Sequence, residues 1–381
     1  MRTFALLLVG GVALMARAAG AETEGTAFLK ELVRIPSVSA NVKEVNRAVG
    51  AMRSWLEKRG IPCAVETDAD GRDALWASTV PGKEQDFVLV CHLDVVPAPE
   101  EMFQVVERDG KWFGRGVSDC KGNAVVCAET LVALAGKASV GCVFASDEEL
   151  GGFTTAMMVK RGYRPRRMVI VTDLAEFGLR NSHKGHALLR LVAHGTTGHS
   201  SAPWASENAL EKLIVGCANA RREWDRAYPA ATAEDVWHDT ISITLASSSS
   251  KVANAIPARA EATASLRYVE LDGCRKAVEF LRRVSGLEVE VIRDGGPVNA
   301  DTTDPLMVRF ADTMRRIWGV PSLQYGRENG ATDARHFGAL GLPILMVGSE
   351  AGDPHADGEW IDIRGLDRLR ALLLEFLGEG K

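Results

Sequence analysis

Three short stretches of this chain hold carboxylates and imidazoles at spacings that suit the capture of a cation. In Cys91-His-Leu-Asp-Val-Val-Pro97, His92 and Asp94 are two residues apart, so in an extended segment their side chains share a face. A carboxylate placed there can hold the imidazole N–H that points away from a metal and so fix the tautomer and orientation of the ring. Asp147, Glu148 and Glu149 are contiguous. The two neighbouring glutamates must point differently, so one suits proton transfer and the other ligation. Asp119 lies in Gly114-Arg-Gly-Val-Ser-Asp-Cys-Lys-Gly122, where glycines on both sides let the backbone turn tightly. A carboxylate has two oxygens, and Asp119 can therefore bridge two metals. Asp173, and Asp353 with His355, complete the set.

These residues gain a common location only through the elements that carry them. Residues 87–91, 140–145 and 168–171 are short apolar runs that read as buried strands of a mainly parallel sheet. His92 and Asp94 follow the first run, Asp147 to Glu149 the second, and Asp173 the third. Asp353 and His355 follow a late strand at 343–347. Ligands of open α/β sheets bind beyond the carboxyl ends of the strands, so imidazoles and acids meet at one sheet edge, as a divalent metal requires. Singly, each acid reads as solvated or as a helix cap; together they point to a metal site.

Apolar residues at three- and four-residue spacing predict a helix at 42–56, where Gly60 gives the stop, and further helical stretches are read at 123–134, 305–318 and 366–377. Between them the pattern changes. Residues 187–193, 240–245 and 260–268 read as more amphipathic strands, with helices at 205–222 and 273–284 packed on them. The expected fold is an α/β domain with helices on both faces of a mainly parallel sheet. An α+β segment at 185–294 divides it into parts at 22–184 and 295–381, and Gly295-Gly-Pro297 forms the return hinge.

The composition is that of a globular protein, with 46% hydrophobic and 25% charged residues. A formal net charge of -5 gives no case for nucleic acid or anionic membranes, and nothing after residue 21 is apolar for long enough to span a bilayer. The N-terminus has the layout of a secretory signal peptide: Arg2, an apolar run at 4–16, and small residues at Ala19-Gly-Ala21. Cleavage after Ala21 and export are expected. The seven cysteines form no CxxC pair, and several sit in apolar runs, so they read as buried free thiols. No GxSxG elbow supports a serine hydrolase.

The segments His92-Leu-Asp-Val-Val-Pro97, Gly114 to Gly122 and Ser146-Asp-Glu-Glu149 resemble, in order, the signature segments of the co-catalytic zinc metallopeptidases. That family includes acetylornithine deacetylase, succinyl-diaminopimelate desuccinylase, glutamate carboxypeptidase, aminoacylase and carnosinase-type dipeptidases. The resemblance runs from about residue 25 to the end of the chain. It implies two zinc ions per subunit, one held by His92 and Asp173, the other by Glu149 and His355, with Asp119 bridging. It further implies Glu148 as general base, Asp94 as the partner of His92, and a cis peptide after Asp119. The inserted segment would be a lid that also makes a homodimer interface. Thr196-Thr-Gly-His-Ser-Ser201 resembles the lid segment whose histidine reaches the partner subunit's active site, which makes His199 a candidate oxyanion donor. Asn254 and Arg267 match positions that grip a substrate carboxylate, and Thr332 a position of further substrate contact; loop and strand-edge polar groups are the alternative reading of all three. His183, His186, His194, His238 and His336 read as ordinary polar residues.

The implied substrate is a small peptide or an N-acyl amino acid. An aspartate at the position of Asp173 accompanies family members that act on substrates with a free amino group, which favours a dipeptide. His183-Lys-Gly-His186 resembles the deacylase acetylornithine deacetylase instead, and Ser118-Asp-Cys-Lys121 lacks the Asp-Asp-Lys of the carnosinase-like enzymes. An N-acyl-amino-acid deacylase or carboxypeptidase is the alternative, and a catalytically silent zinc- or peptide-binding protein the remote one.

Overall fold

The computed structural model describes residues 23–229 and 236–379. The expected signal peptide at 1–21 lies outside the described residues. Among the described residues, no helix is long and apolar enough to cross a membrane.

The central sheet is nine-stranded. Strand Glu84–His92 pairs in parallel with Val140–Ala145 on one side and Arg164–Leu174 on the other, and Ile344–Gly348 extends the parallel run. The flanks are antiparallel: Cys63–Thr67 and Asp73–Ser78 at one edge, Gly178–His183 and Val298–Asn299 towards the other. The apolar runs at 87–91, 140–145 and 168–171 thus mark the central strands. The flanking strands, shorter or more polar, carry no such signal.

The period-two geometry of a strand sorts the core into two layers. Phe87, Leu89, Cys91, Cys142, Phe144 and Ile170 face one way, onto helices Glu24–Val33, Val42–Glu57, Lys121–Leu134, Pro305–Trp318 and Ile363–Gly378. Val88, Val90, Val143, Val169 and Val171 face the other, with Met158 of helix Phe153–Lys160. Helix Lys121–Leu134 is buried nearly all round, so it shows no amphipathic stripe and is visible only as an apolar run. All seven cysteines are free, five of them buried.

A second sheet is wholly antiparallel, in the order Thr240–Ser248, Arg259–Tyr268, Gly185–His194, Glu288–Gly295. Helices Ala209–Ala227 and Gly273–Ser285 cover one of its faces, over Leu189, Leu191, Ala262, Ala264 and Leu266. The helix expected from residue 205 begins four residues later, because Asn208 caps it by accepting from Leu210 N at 3.0 Å. The other face carries His186, Arg190, Thr263, Ser265 and Arg267, all half-buried. A third, small sheet joins Lys111–Phe113 to Trp360–Asp362, which ties the loop before Asp119 to the loop that carries His355.

Candidate active site

The C-terminal ends of the parallel strands bring the acids and imidazoles together. His92 ends its strand, Asp173 lies near the end of the next, and Asp119 stands just before helix Lys121–Leu134. His92 Nε2 lies 2.8 Å from Asp119 Oδ1 and 3.1 Å from Asp173 Oδ1. His355 Nε2 lies 3.0 Å from Glu149 Oε1 and 3.2 Å from Asp119 Oδ2. The two oxygens of Asp119 therefore face different imidazoles. The His92 side is sealed, with side-chain exposures of 1% for His92 and 7% for Asp173, whereas His355 is 53% exposed. Any ligand must enter from the His355 side.

The ring of His92 is oriented by its other nitrogen. Nδ1 lies 2.9 Å from the main-chain carbonyl of Asp94. A carbonyl oxygen only accepts, so Nδ1 carries a proton and Nε2 is the nitrogen that faces the cluster. The expected partner, the Asp94 carboxylate, keeps its nearer oxygen 3.4 Å away. That carboxylate instead accepts from Ser39 Oγ at 2.7 Å and from the backbone N–H groups of Glu148 and Glu149 at 3.1 and 3.3 Å. It thereby fixes the short 3-10 turn Glu148–Leu150. Gly151 and Gly152 follow with φ of +129° and +67°, and a side chain at Gly152 would run into Asp333 and His336. Asp147, grouped with these acids by sequence, is a structural residue; its Oδ1 accepts from Thr154 N at 3.1 Å. Asp353 is exposed.

The charges of this cluster are those of a cation site. Hydrogen bonds to Asp119 and Glu149 raise His355 to about 10. Burial by itself would lower His92, but Asp173 and its neighbours raise it well above the ordinary histidine range. Protons are held where carboxylates crowd around imidazoles, and three carboxylates with two imidazoles are a donor set that fits divalent cations. Cys120 Sγ is also within 4.8 Å of the His92 and Asp173 donor atoms, but its thiol donates to Thr172 O at 3.2 Å. The peptide between Asp119 and Cys120 is cis, as the resemblance implies. Glu148 is mostly buried beside the cluster, its side chain 13% exposed, with its Oε1 3.5 Å from Arg335 Nη2. Burial, then the charges of Asp173 and Asp333, push its carboxyl well above the usual range, which suits a group that takes and returns a proton.

One residue with a large role is not apparent from the sequence. Glu359 is fully buried, and its carboxylate accepts from Arg115 Nη1 at 2.8 Å, Gly116 N at 2.9 Å, Ser118 N and Oγ at 2.9 Å, and Asp119 N at 3.1 Å. It shapes the loop that presents Asp119. Its position four residues after His355 is the only signal, and an acid in a loop is rarely informative.

The candidate substrate residues are not among those that bond within the cluster, though the charge of Glu148 reaches Arg267. His199 is exposed and 2.8 Å from Ser201 Oγ, and Asn254 is exposed, its carbonyl accepting from Ser200 N at 3.0 Å. Both make these bonds within the second unit. Thr332 Oγ1 accepts from Ala334 N at 3.2 Å and caps a 3-10 turn. Arg267 is half-buried and, among the described residues, has neither an ion-pair nor a hydrogen-bond partner. His183 and His186, read as ordinary, lie near this arginine: burial first, then neighbouring charges that include Arg335 and Arg267, lower both to about 4.

A mostly parallel sheet with acids and imidazoles at its strand ends, beside a separate antiparallel sheet, defines a metal-dependent hydrolase. Residues 88–379 match peptidase family M20/M25/M40, and the chain belongs to that family, whose members are metallohydrolases acting on C–N bonds. It is 22% identical over 370 residues to a succinyl-diaminopimelate desuccinylase of Wolinella succinogenes, covering 92% of this chain and 98% of that one. Among solved structures it is similar to an M20 family metallo-carboxypeptidase from Sulfolobus solfataricus, with TM-score 0.73, 17% identity and coverage of 94% and 99%. A di-peptidase from Saccharomyces cerevisiae aligns with TM-score 0.70 at 17% identity, covering 94% and 96%. These structural likenesses establish the fold.

Proposed function

We propose that this chain is an exported di-zinc peptidase that hydrolyses the amide bond of dipeptides. The observation that carries the reading is the position of Asp119, one oxygen 2.8 Å from His92 and the other 3.2 Å from His355. His92 and Asp173 would hold one zinc ion and Glu149 and His355 the other, with Asp119 between them. When bound, the ions supply a water of near-neutral pKa and polarise the substrate carbonyl. Glu148 takes the proton of the attacking water and passes it to the leaving nitrogen, and burial with a neighbouring arginine readies it for both. Asp94 holds the turn that aims Glu148 and Glu149.

Arg267, half-buried and without a hydrogen-bond or ion-pair partner among the described residues, is the candidate grip for the substrate carboxylate. Asn254 and Thr332 are further candidate contacts. His199 is exposed on this chain, which suits a donor that serves the partner subunit of a homodimer formed through the second unit. The N-terminal pattern of residues 1–21 supports export. An aspartate at 173 favours a substrate with a free amino group, while His183-Lys-Gly-His186 and the desuccinylase relatives favour an N-acyl amino acid.

The test is hydrolysis by residues 22–381, loaded with zinc, of unblocked dipeptides and matched N-acetyl amino acids, with and without a chelator. Chelator-sensitive cleavage of the dipeptides supports the reading. Cleavage of the acylated set alone replaces the substrate, and cleavage of neither overturns the proposal.

A further inference from the structure

Three of the seven cysteines meet in the interior. Cys91 and Cys142 stand on neighbouring parallel strands, where Cys142 pairs with Leu89, two residues before Cys91. The alternation of strand side chains turns both sulfurs to the face on which helix Lys121–Leu134 packs, and that helix supplies Cys127. Cys91 Sγ lies 3.8 Å from Cys142 Sγ, and all three sulfurs lie within 4.8 Å of one another. The three residues are 2%, 0% and 0% exposed for Cys91, Cys127 and Cys142. His92, the next residue along the strand, turns instead to the acids at the sheet edge.

A single buried cysteine packs as a small apolar group; three that converge are a donor set. Their other partners are weak: Cys91 and Cys142 reach the carbonyl of Val143 at 3.8 and 3.7 Å, and Cys127 Sγ lies 3.2 Å from Thr172 Oγ1. Three sulfurs held at about 2.3 Å from one centre stand about 4.0 Å apart, close to the separation of Cys91 and Cys142. Hard cations seek oxygen. Zinc completes four ligands, and beside this trio the Thr172 hydroxyl is the nearest further side-chain donor. Cu(I) is soft, selects sulfur and is satisfied by three such ligands. Charge favours the same ion. Unbalanced charge is costly in a dry interior, and a monocation is neutralised by the loss of one thiol proton, where a dication needs two. Burial raises the Cys127 thiol, but hydrogen bonds from Cys142, Cys91 and Thr172 outweigh it and bring the group well below the ordinary thiol range.

We infer that Cys91, Cys127 and Cys142 form an all-sulfur metal site that takes one Cu(I) ion in trigonal coordination, separate from the acid-and-imidazole cluster at the strand ends. Binding releases one proton, from Cys127, and transfers no electron; the other two sulfurs bind as thiols. The ion ties two central strands to the helix that follows Asp119, and its role is to stabilise the fold. This site stands whether or not the hydrolase reading does.

The test mixes the reduced, zinc-loaded chain with Cu(I) held by bicinchoninate under anaerobic conditions. A second sample is purified from copper-supplemented cells, where the ion can enter as the chain folds. The expected results are one Cu(I) per chain, an X-ray absorption shell of three sulfurs and no nitrogen, and a rise of about 3 °C or more in melting temperature, since the ion binds only the folded state. Cys127→Ser should abolish all three. Cys63→Ser combined with Cys217→Ser removes the two partly exposed thiols and should change none of them. A shell that contains nitrogen puts the ion on the imidazoles, and copper lost with Cys63 and Cys217 puts it near the surface. Either result overturns the inference, as does the absence of copper from both samples. Should Cys127→Ser not fold, the sulfur count in the wild type and in the Cys63 and Cys217 variant decides.

Discussion

The acid-and-imidazole cluster at the sheet edge and the arginine face of the second sheet differ in how far their charges are already satisfied. In the cluster the carboxylates are engaged: Asp119 meets two imidazoles, Asp94 holds a hydroxyl and two backbone N–H groups, and Glu359 holds the loop below. On the arginine face, and among the described residues, Arg267 has no ion-pair or hydrogen-bond partner and Arg293 has only a carbonyl. The first region is organised before any substrate arrives, as pre-set electrostatics require. The second is answered in part by the charge of Glu148, which reaches both arginines. In the proposed reading chemistry and recognition fall to different sheets, and mutations in the two should fail in different ways.

The largest effect is expected at the bridge. Asp119→Ala should cost about 10³-fold or more in activity together with most of the bound metal, since both imidazoles lose their shared carboxylate. Metal content and rate, measured on the same preparation, check this. Glu148→Ala should lower kcat by about 10²–10⁴-fold while metal content stays at the wild-type level. Equal loss of metal would erase the distinction between base and ligand. Glu359→Gln puts an NH2 against N–H donors and leaves Arg115 unpaired in the interior. It should cost about 3 kcal/mol in urea unfolding and weaken metal binding as the Asp119 loop loosens. Arg267→Met belongs to the other region. It should lower kcat/KM by about 10–100-fold, mostly through KM, with metal content unchanged. A loss confined to kcat would move Arg267 into the chemistry. Smallest is Ser39→Ala, which removes one hydrogen bond to Asp94 and should cost about 1 kcal/mol of stability.

The same division explains what can be read from the sequence. His92, Glu149, Asp173 and His355 sit at or just beyond the ends of apolar strands, so local pattern and the strand-end rule are enough to bring them together. Asp119 is legible through its flanking glycines. The polar face of the second sheet is not. Arg267 and Arg293 lie 26 residues apart in sequence (293 − 267) and are related only through the register of the strand between them, which no local pattern encodes. Arg293 stands in a strand marked only by the alternation of Leu287, Val289 and Val291 with Glu288 and Glu290, half of its residues being exposed. The spacing of Asp94 puts it correctly beside His92, but its contacts to the Glu148 turn depend on tertiary packing across 54 and 55 residues. Glu359 is hidden for the same reason.

The claim that Asp119 joins two metal positions is tested most directly by counting zinc. The wild-type chain and Asp119→Asn would each be stripped with chelator, reloaded, freed of loose metal and assayed by plasma mass spectrometry. The account predicts two zinc ions per wild-type chain and fewer than one in the variant, because each position shares that carboxylate. One ion in the wild type, or two retained in Asp119→Asn, would contradict it.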